Sequence, residues 1–148
     1  MTMATLTGPS HPPLAGGDPQ QLVILLHGVG ADGNDLIGLA PHWGRMLPHA
    51  EFLSPNGPEP CDMAPFGYQW FSLMDRDPSA ILKGVQRNAP ALDSFITGAM
   101  MERGLSSHQI ALVGFSQGTM MALHCALRRE TAPAAVVGYS GALAGPER

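Results

Sequence analysis

Gly114-Phe-Ser-Gln-Gly118 sets a serine between two glycines in the spacing G-x-S-x-G. A serine hydroxyl is a weak nucleophile until its geometry and neighbours activate it. A sharp turn from strand to helix would lift the hydroxyl clear of a sheet, and flanking glycines remove the Cβ atoms that would collide there. Ser116 is therefore the candidate nucleophile for acyl transfer. The N–H of Gln117, at a helix N-terminus, would point at a developing oxyanion. A second donor must come from another turn. His27-Gly-Val-Gly30 follows the first apolar run of the chain, and its glycines let the backbone pass close to a carbonyl. The N–H of Val29 is the candidate there. His27 itself reads as a ring held at a strand end rather than as a base.

Two rival chemistries compete for these residues. Gly28, Gly30 and Gly33 also fit G-x-G-x-x-G, the turn that sets a dinucleotide pyrophosphate on a helix N-terminus. That reading needs an acid at the end of the next strand, about 20 residues on. Glu51 stands at the start of that segment, whose end reads Phe52-Leu-Ser-Pro55, and the fingerprint fails its own test. Metal binding is weaker, because His11, His42, His49, His108 and His124 form no H-E-x-x-H and no 2-His-carboxylate pattern; no metal site is expected. His124 lies eight residues beyond Ser116 on the same helix. That is a rise of about 12 Å, too far for it to serve Ser116 as a base.

The elements that would position these residues alternate between strand and helix. Residues 22–26 are apolar without a period of two, as a strand buried on both faces of a parallel sheet reads. A short helix is expected from Asn34, its N-cap, and a short strand over 51–54. Residues 55–77 hold four prolines and no regular period, the kind of long irregular stretch that is usually functional. Helical pattern returns over 78–86 and again after Asn88, where Pro90 suits a first turn, and Gly104 closes it. A second buried strand over 109–115, a helix over 117–129 and a strand over 134–139 complete an α/β chain with a parallel sheet. Residues 1–20, rich in Gly and Pro, form an extended or loose lead-in to a single domain over 21–148.

Composition narrows the class further. The 148 residues are 45% apolar but only 14% charged, with a formal net charge of −4 and Lys83 as the single lysine. That balance argues against nucleic acid and anionic membrane surfaces as partners. No apolar run could span a bilayer, so stable membrane insertion is not expected. Residues 1–10 lack the basic and apolar parts of a signal peptide, and Cys61 and Cys125 match no zinc spacing. A cytoplasmic protein with reduced thiols is expected.

Taken together, 26–33 (Leu-His-Gly-Val-Gly-Ala-Asp-Gly) with Asn34-Asp-Leu36, Gln69-Trp-Phe-Ser72, Gly114-Phe-Ser-Gln-Gly118 and Tyr139-Ser-Gly141 resemble the phospholipase/carboxylesterase family of α/β-hydrolases. This family includes the acyl-protein thioesterases, and the resemblance runs over about residues 18–144. It implies a mostly parallel sheet with helices on both faces. It also implies a serine hydrolase acting on small-molecule esters, thioesters or lysophospholipids without a cofactor. Ser116 would be its nucleophile, with Val29 and Gln117 as oxyanion donors. Met63, Phe66, Trp70 and Phe71, within 55–77, would wall the acyl pocket. A homodimer is compatible with the family.

The chain departs from that pattern after Ser116. The triad order of this fold is Ser, then Asp or Glu, then His. The 32 residues that follow contain Glu130 and Glu147, and their one histidine, His124, precedes both. About 70 residues, two further strand–helix units, are expected to be missing from the C-terminal part of the fold. The 148 residues alone are then expected to be nearly inactive, with the strand at 134–139 left as an apolar edge open to self-association. The alternative is a truncated hydrolase-like protein that binds acyl ligands or a partner without catalysis.

Overall fold

The computed structural model describes residues 5–145. In chain order the elements are β1 (Ser10–His11), β2 (Gln21–Leu26), α1 (Gly33–Ile37), α2 (Ala40–Trp43), β3 (Ala50–Leu53), β4 (Glu59–Pro60), β5 (Tyr68–Gln69), α3 (Pro78–Arg103), a 3-10 turn (Ser107–Gln109), β6 (Ile110–Phe115), α4 (Gln117–Arg128) and β7 (Ala135–Tyr139). The main sheet runs β1-β3-β2-β6-β7, parallel except for β1, while β4 and β5 pair separately.

The missing alternation in β2 has a direct cause. Leu22, Ile24 and Leu26 enter one apolar cluster, with Leu92 and Ile96 of α3 and Met121 and Cys125 of α4. Val23 and Leu25 enter another, with Phe52 and Ala40, backed by Leu36 and Trp43. Both faces of the strand are covered, so every position must be apolar, and each fully buried Leu or Ile contributes about 1.5–3 kcal/mol.

Two expectations need correction. Asp32, not Asn34, caps α1: its carboxylate accepts from the Asn34 amide at 2.8 Å, and Asp35 accepts from the Asp32 amide. Asn34 lies inside the helix, because Asp32 completes a reciprocal cap with the acid at the third helical position. The two helical segments around 78–103 form one helix of 26 residues that runs through Pro90. Proline there removes one donor to the Gln86 carbonyl. Burial of Val85, Ala89, Leu92, Ile96 and Ala99 along one face outweighs that loss. Within the segment expected to be an extended or loose lead-in, β1 pairs antiparallel with β3, and Leu6 is buried in the core.

The far edge is different. β7 pairs with β6 alone among the described strands, and Val137 and Tyr139 remain 42% and 50% exposed. Glu147 lies outside the described residues. Among the described residues, no helix is long and apolar enough to cross a membrane. Cys61 and Cys125 are both free and buried, and burial pushes the Cys125 thiol up to about 12.

Candidate active site

Ser116 sits between the last residue of β6 and the first of α4, with φ 56° and ψ −114°. This left-handed φ costs a non-glycine residue about 1–3 kcal/mol and must be held by its surroundings. The hold is visible on three sides. The Ser116 amide donates to the Tyr139 carbonyl at 2.9 Å, tying the turn to the end of β7. A Cβ on Gly114 would strike the backbone of Gly118 and Thr119, and one on Gly118 would strike the Leu26 carbonyl. The two motif glycines thus let α4 begin directly against the ends of β6 and β2.

Thr119 completes the hold on β7. Its hydroxyl donates to the Tyr139 carbonyl at 2.8 Å and accepts from the Tyr139 amide at 3.0 Å. Gly138 and Gly141 lie against the same side chain, where a Cβ would collide with it. These contacts give Tyr139-Ser-Gly141 a physical reason that its sequence alone does not state.

The second turn is locked from the other side. Gly30, at φ 81°, donates to the Tyr68 carbonyl at 2.8 Å, and the Tyr68 amide donates to the Ala31 carbonyl at 2.8 Å. Gly28 packs under the ring of Phe115, the residue before Ser116. Among the described residues, the amides of Val29 and Gln117 donate to no other protein group. Two unsatisfied donors beside a strained serine are the parts that oxyanion stabilisation requires.

His27 is fully buried, with both ring nitrogens engaged. Nε2 accepts from the Gly57 amide at 2.8 Å, which fixes the neutral tautomer in which Nδ1–H donates to the Gly28 carbonyl at 2.6 Å. Burial holds its pKa below the ordinary histidine value. A ring that accepts from one backbone amide and donates to one carbonyl has no free nitrogen to take a proton from Ser116. His124 is also buried, but its Nδ1 has no hydrogen-bond partner among the described residues, and it lines a groove of about 760 Å³ between α3 and α4.

The glycine turn after β2 is closed to a phosphate. The Gly33 amide, at the start of α1, donates to Asn56 Oδ1 at 2.7 Å, and Ser54 donates to the Gly33 carbonyl at 2.7 Å. The donor a pyrophosphate would need is already occupied.

The four residues assigned to the pocket wall divide into two pairs. Met63 and Phe66 lie in the loop between β4 and β5, 54% and 74% exposed. Trp70 and Phe71 are fully buried in the core, and as arranged they offer a ligand no surface. None of the four, nor Ser116, lines the groove beside His124 or a second cavity of about 450 Å³ between the lead-in and α3.

The side-chain bonds that hold this region escaped the sequence reading, although Gln69 and Gln117 were named there for other reasons. Asn88 donates from Nδ2 to the Trp70 carbonyl at 2.6 Å and to Glu59 at 3.0 Å, while Gln69 donates to the other oxygen of Glu59 at 2.9 Å. The Gln117 side chain, 2% exposed, accepts from the Trp70 amide at 2.9 Å and donates to the Phe71 carbonyl at 2.8 Å. No local spacing signals partners that lie 10 to 47 residues apart in the chain.

Comparison with known proteins gives a consistent answer. The model of the Phospholipase/Carboxylesterase family matches residues 15–148. Esterase YpfH of Escherichia coli is 30% identical over 123 residues, which is 82% of this chain and 52% of that protein. Acyl-protein thioesterase 1 of Schizosaccharomyces pombe is 32% identical over 127 residues, 82% of this chain and 55% of that protein. The crystal structure of esterase PE8 superposes with a TM-score of 0.92 at 42% identity, covering 97% of this chain and 67% of that one. The chain therefore spans about half the length of the curated relatives it matches.

Proposed function

Because the chain belongs to the phospholipase/carboxylesterase family of α/β-hydrolases, we propose that it carries the nucleophile and oxyanion half of a carboxylic ester or thioester hydrolase. The observation that carries this reading is the strained turn at Ser116 beside the unpaired amides of Val29 and Gln117. Ser116 Oγ adds to the acyl carbonyl, and its proton passes to a base. The oxyanion is held by the two amides, and the alcohol or thiol leaves with a proton as the acyl-enzyme forms. Water then adds to the acyl-enzyme, releasing the carboxylic acid and restoring the serine. The N-terminal end of α4 adds its dipole to the same oxygen.

The base is the part these residues do not supply. His27 is fully engaged, and His124 is the single histidine after Ser116 and lines the α3–α4 groove. A general base contributes about 10²–10⁴-fold to the rate. The 148 residues alone are accordingly expected to turn over p-nitrophenyl esters far below the usual 1–10³ s⁻¹. Of the four residues expected to wall an acyl pocket, Met63 and Phe66 have the exposed surface to meet an acyl chain, whereas Trp70 and Phe71 are buried in the core. The test is an ester-hydrolysis assay on the purified chain beside Ser116→Ala. Turnover in the normal enzymatic range, lost in the variant, would overturn the missing base and keep the nucleophile. Turnover clearly above the uncatalysed background yet equal in both proteins would overturn Ser116.

A further inference from the structure

We infer that the side chain of Gln117 is a positioning residue: it holds the two oxyanion amides in register by clamping the segment after β5 onto the head of α4. The inference rests on the oxyanion reading of Val29 and Gln117 but concerns a different part of Gln117, its carboxamide rather than its N–H.

The connections form one path. Gln117 Oε1 takes the Trp70 amide at 2.9 Å, and Nε2 gives to the Phe71 carbonyl at 2.8 Å. One carboxamide thereby bonds two successive residues of a segment that has no sheet partner at that point. Trp70 Nε1 donates to the His27 carbonyl at 2.9 Å, and the two rings lie 5.6 Å apart. His27 in turn bonds the carbonyl of Gly28, the residue before Val29. Tyr68, two residues before Trp70, exchanges backbone bonds with Gly30 and Ala31. The turn carrying Val29 is thus gripped through Trp70 at its start and through Tyr68 at its end. Both grips belong to the segment that Gln117 holds, with Asn88 as a second hold on the Trp70 carbonyl.

Burial makes this clamp consequential. A buried amide or carbonyl that loses its partner bears its full desolvation cost, so losing the carboxamide leaves two backbone groups of the segment unsatisfied at once. Loosening by a fraction of an ångström at Val29 matters, because oxyanion donors act only at hydrogen-bond distance from the developing charge.

The experiment is amide hydrogen exchange on the full chain, comparing wild type with Gln117→Met, which keeps the backbone amide and the side-chain length but loses both bonds. Ile96→Val, a conservative change in the α3 core, is the control for a general loss of stability. The amides of Trp70 and Gly30 are expected to exchange roughly tenfold faster in Gln117→Met, beyond any change seen in Ile96→Val at matched stability. Trp70 and Gly30 exchanging no faster than in the control would overturn the inference. Should Gln117→Met fail to fold, Asn88→Ala removes the other hold on Trp70, and acceleration at the same two amides is expected. Labelling of Ser116 by a fluorophosphonate, run in parallel, is expected to slow about tenfold in Gln117→Met. A wild type that labels nowhere would count against the hydrolase reading, while the exchange data still decide the clamp.

Discussion

Between the carboxyl ends of β2 and β6, Gly114 and Gly118 admit no Cβ and the side-chain polar groups of His27 and Gln117 are all paired. Along the outer edge of β7, by contrast, Val137 and Tyr139 stand half exposed on a strand with one neighbour among the described strands. Beyond its ladder with β6, the backbone of Tyr139 is held by Ser116 and Thr119. The two regions are one strand apart in the same sheet. The difference teaches that the tightest packing and the paired buried polar groups lie around the turns that carry Ser116, Val29 and Gln117. The β7 side is open among the described residues.

The largest effect should separate the two regions outright. Trp70→Ala removes a fully buried ring and its bond to the His27 carbonyl, and a loss of about 3–5 kcal/mol in urea unfolding is expected. Val137→Ala, on the exposed edge, is expected to stay within about 0.5 kcal/mol. Equal losses in the two variants would erase the contrast.

Thr119→Val comes next, because it leaves the amide and carbonyl of Tyr139 without the hydroxyl that serves both. A loss of about 1–3 kcal/mol is expected, with faster exchange at the Tyr139 amide. A smaller effect follows acidification. Burial lowers the pKa of both His27 and His124, so the fold holds each ring neutral while the unfolded chain protonates it first. Stability is then complete above about pH 6.5 and falls as pH drops toward the lowered values, by at most about 1.4 kcal/mol per pH unit for each histidine. Urea midpoints between pH 7.5 and 5 check this, and a midpoint that rises on acidification would contradict it. The smallest change in stability belongs to Val137→Lys, expected within about 0.5 kcal/mol. Its signature is instead reduced self-association in sedimentation velocity, since a charge on an edge strand opposes strand-to-strand pairing.

How far the sequence carried this account depends on how local each signal is. The apolar run at 22–26, the serine between Gly114 and Gly118 and the glycines around Val29 are short-range patterns, and the structure places them together at one end of the sheet. The continuity of α3 through Pro90 was hidden, because packing of a helix face outweighed a local breaker. The segment 55–77 was legible only as irregular. Its order comes from Glu59, Gln69, Asn88, His27 and Gln117, joined across 10 to 47 residues of chain. Trp70 and Phe71 read as pocket residues for the same reason: an aromatic in an unpatterned stretch does not reveal whether it faces a ligand or the core.

The most direct test of Ser116 is site mapping after prolonged treatment with an alkyl fluorophosphonate. Under the proposed reading, oxyanion donors acting without a base would retain about 10³–10⁴-fold of rate over water, so slow but confined reaction is expected. Peptide mapping should find one adduct, on Ser116, absent from Ser116→Ala. Adducts spread over other serines, or an adduct that survives in Ser116→Ala, would contradict the assignment of this turn as the place where acyl chemistry occurs.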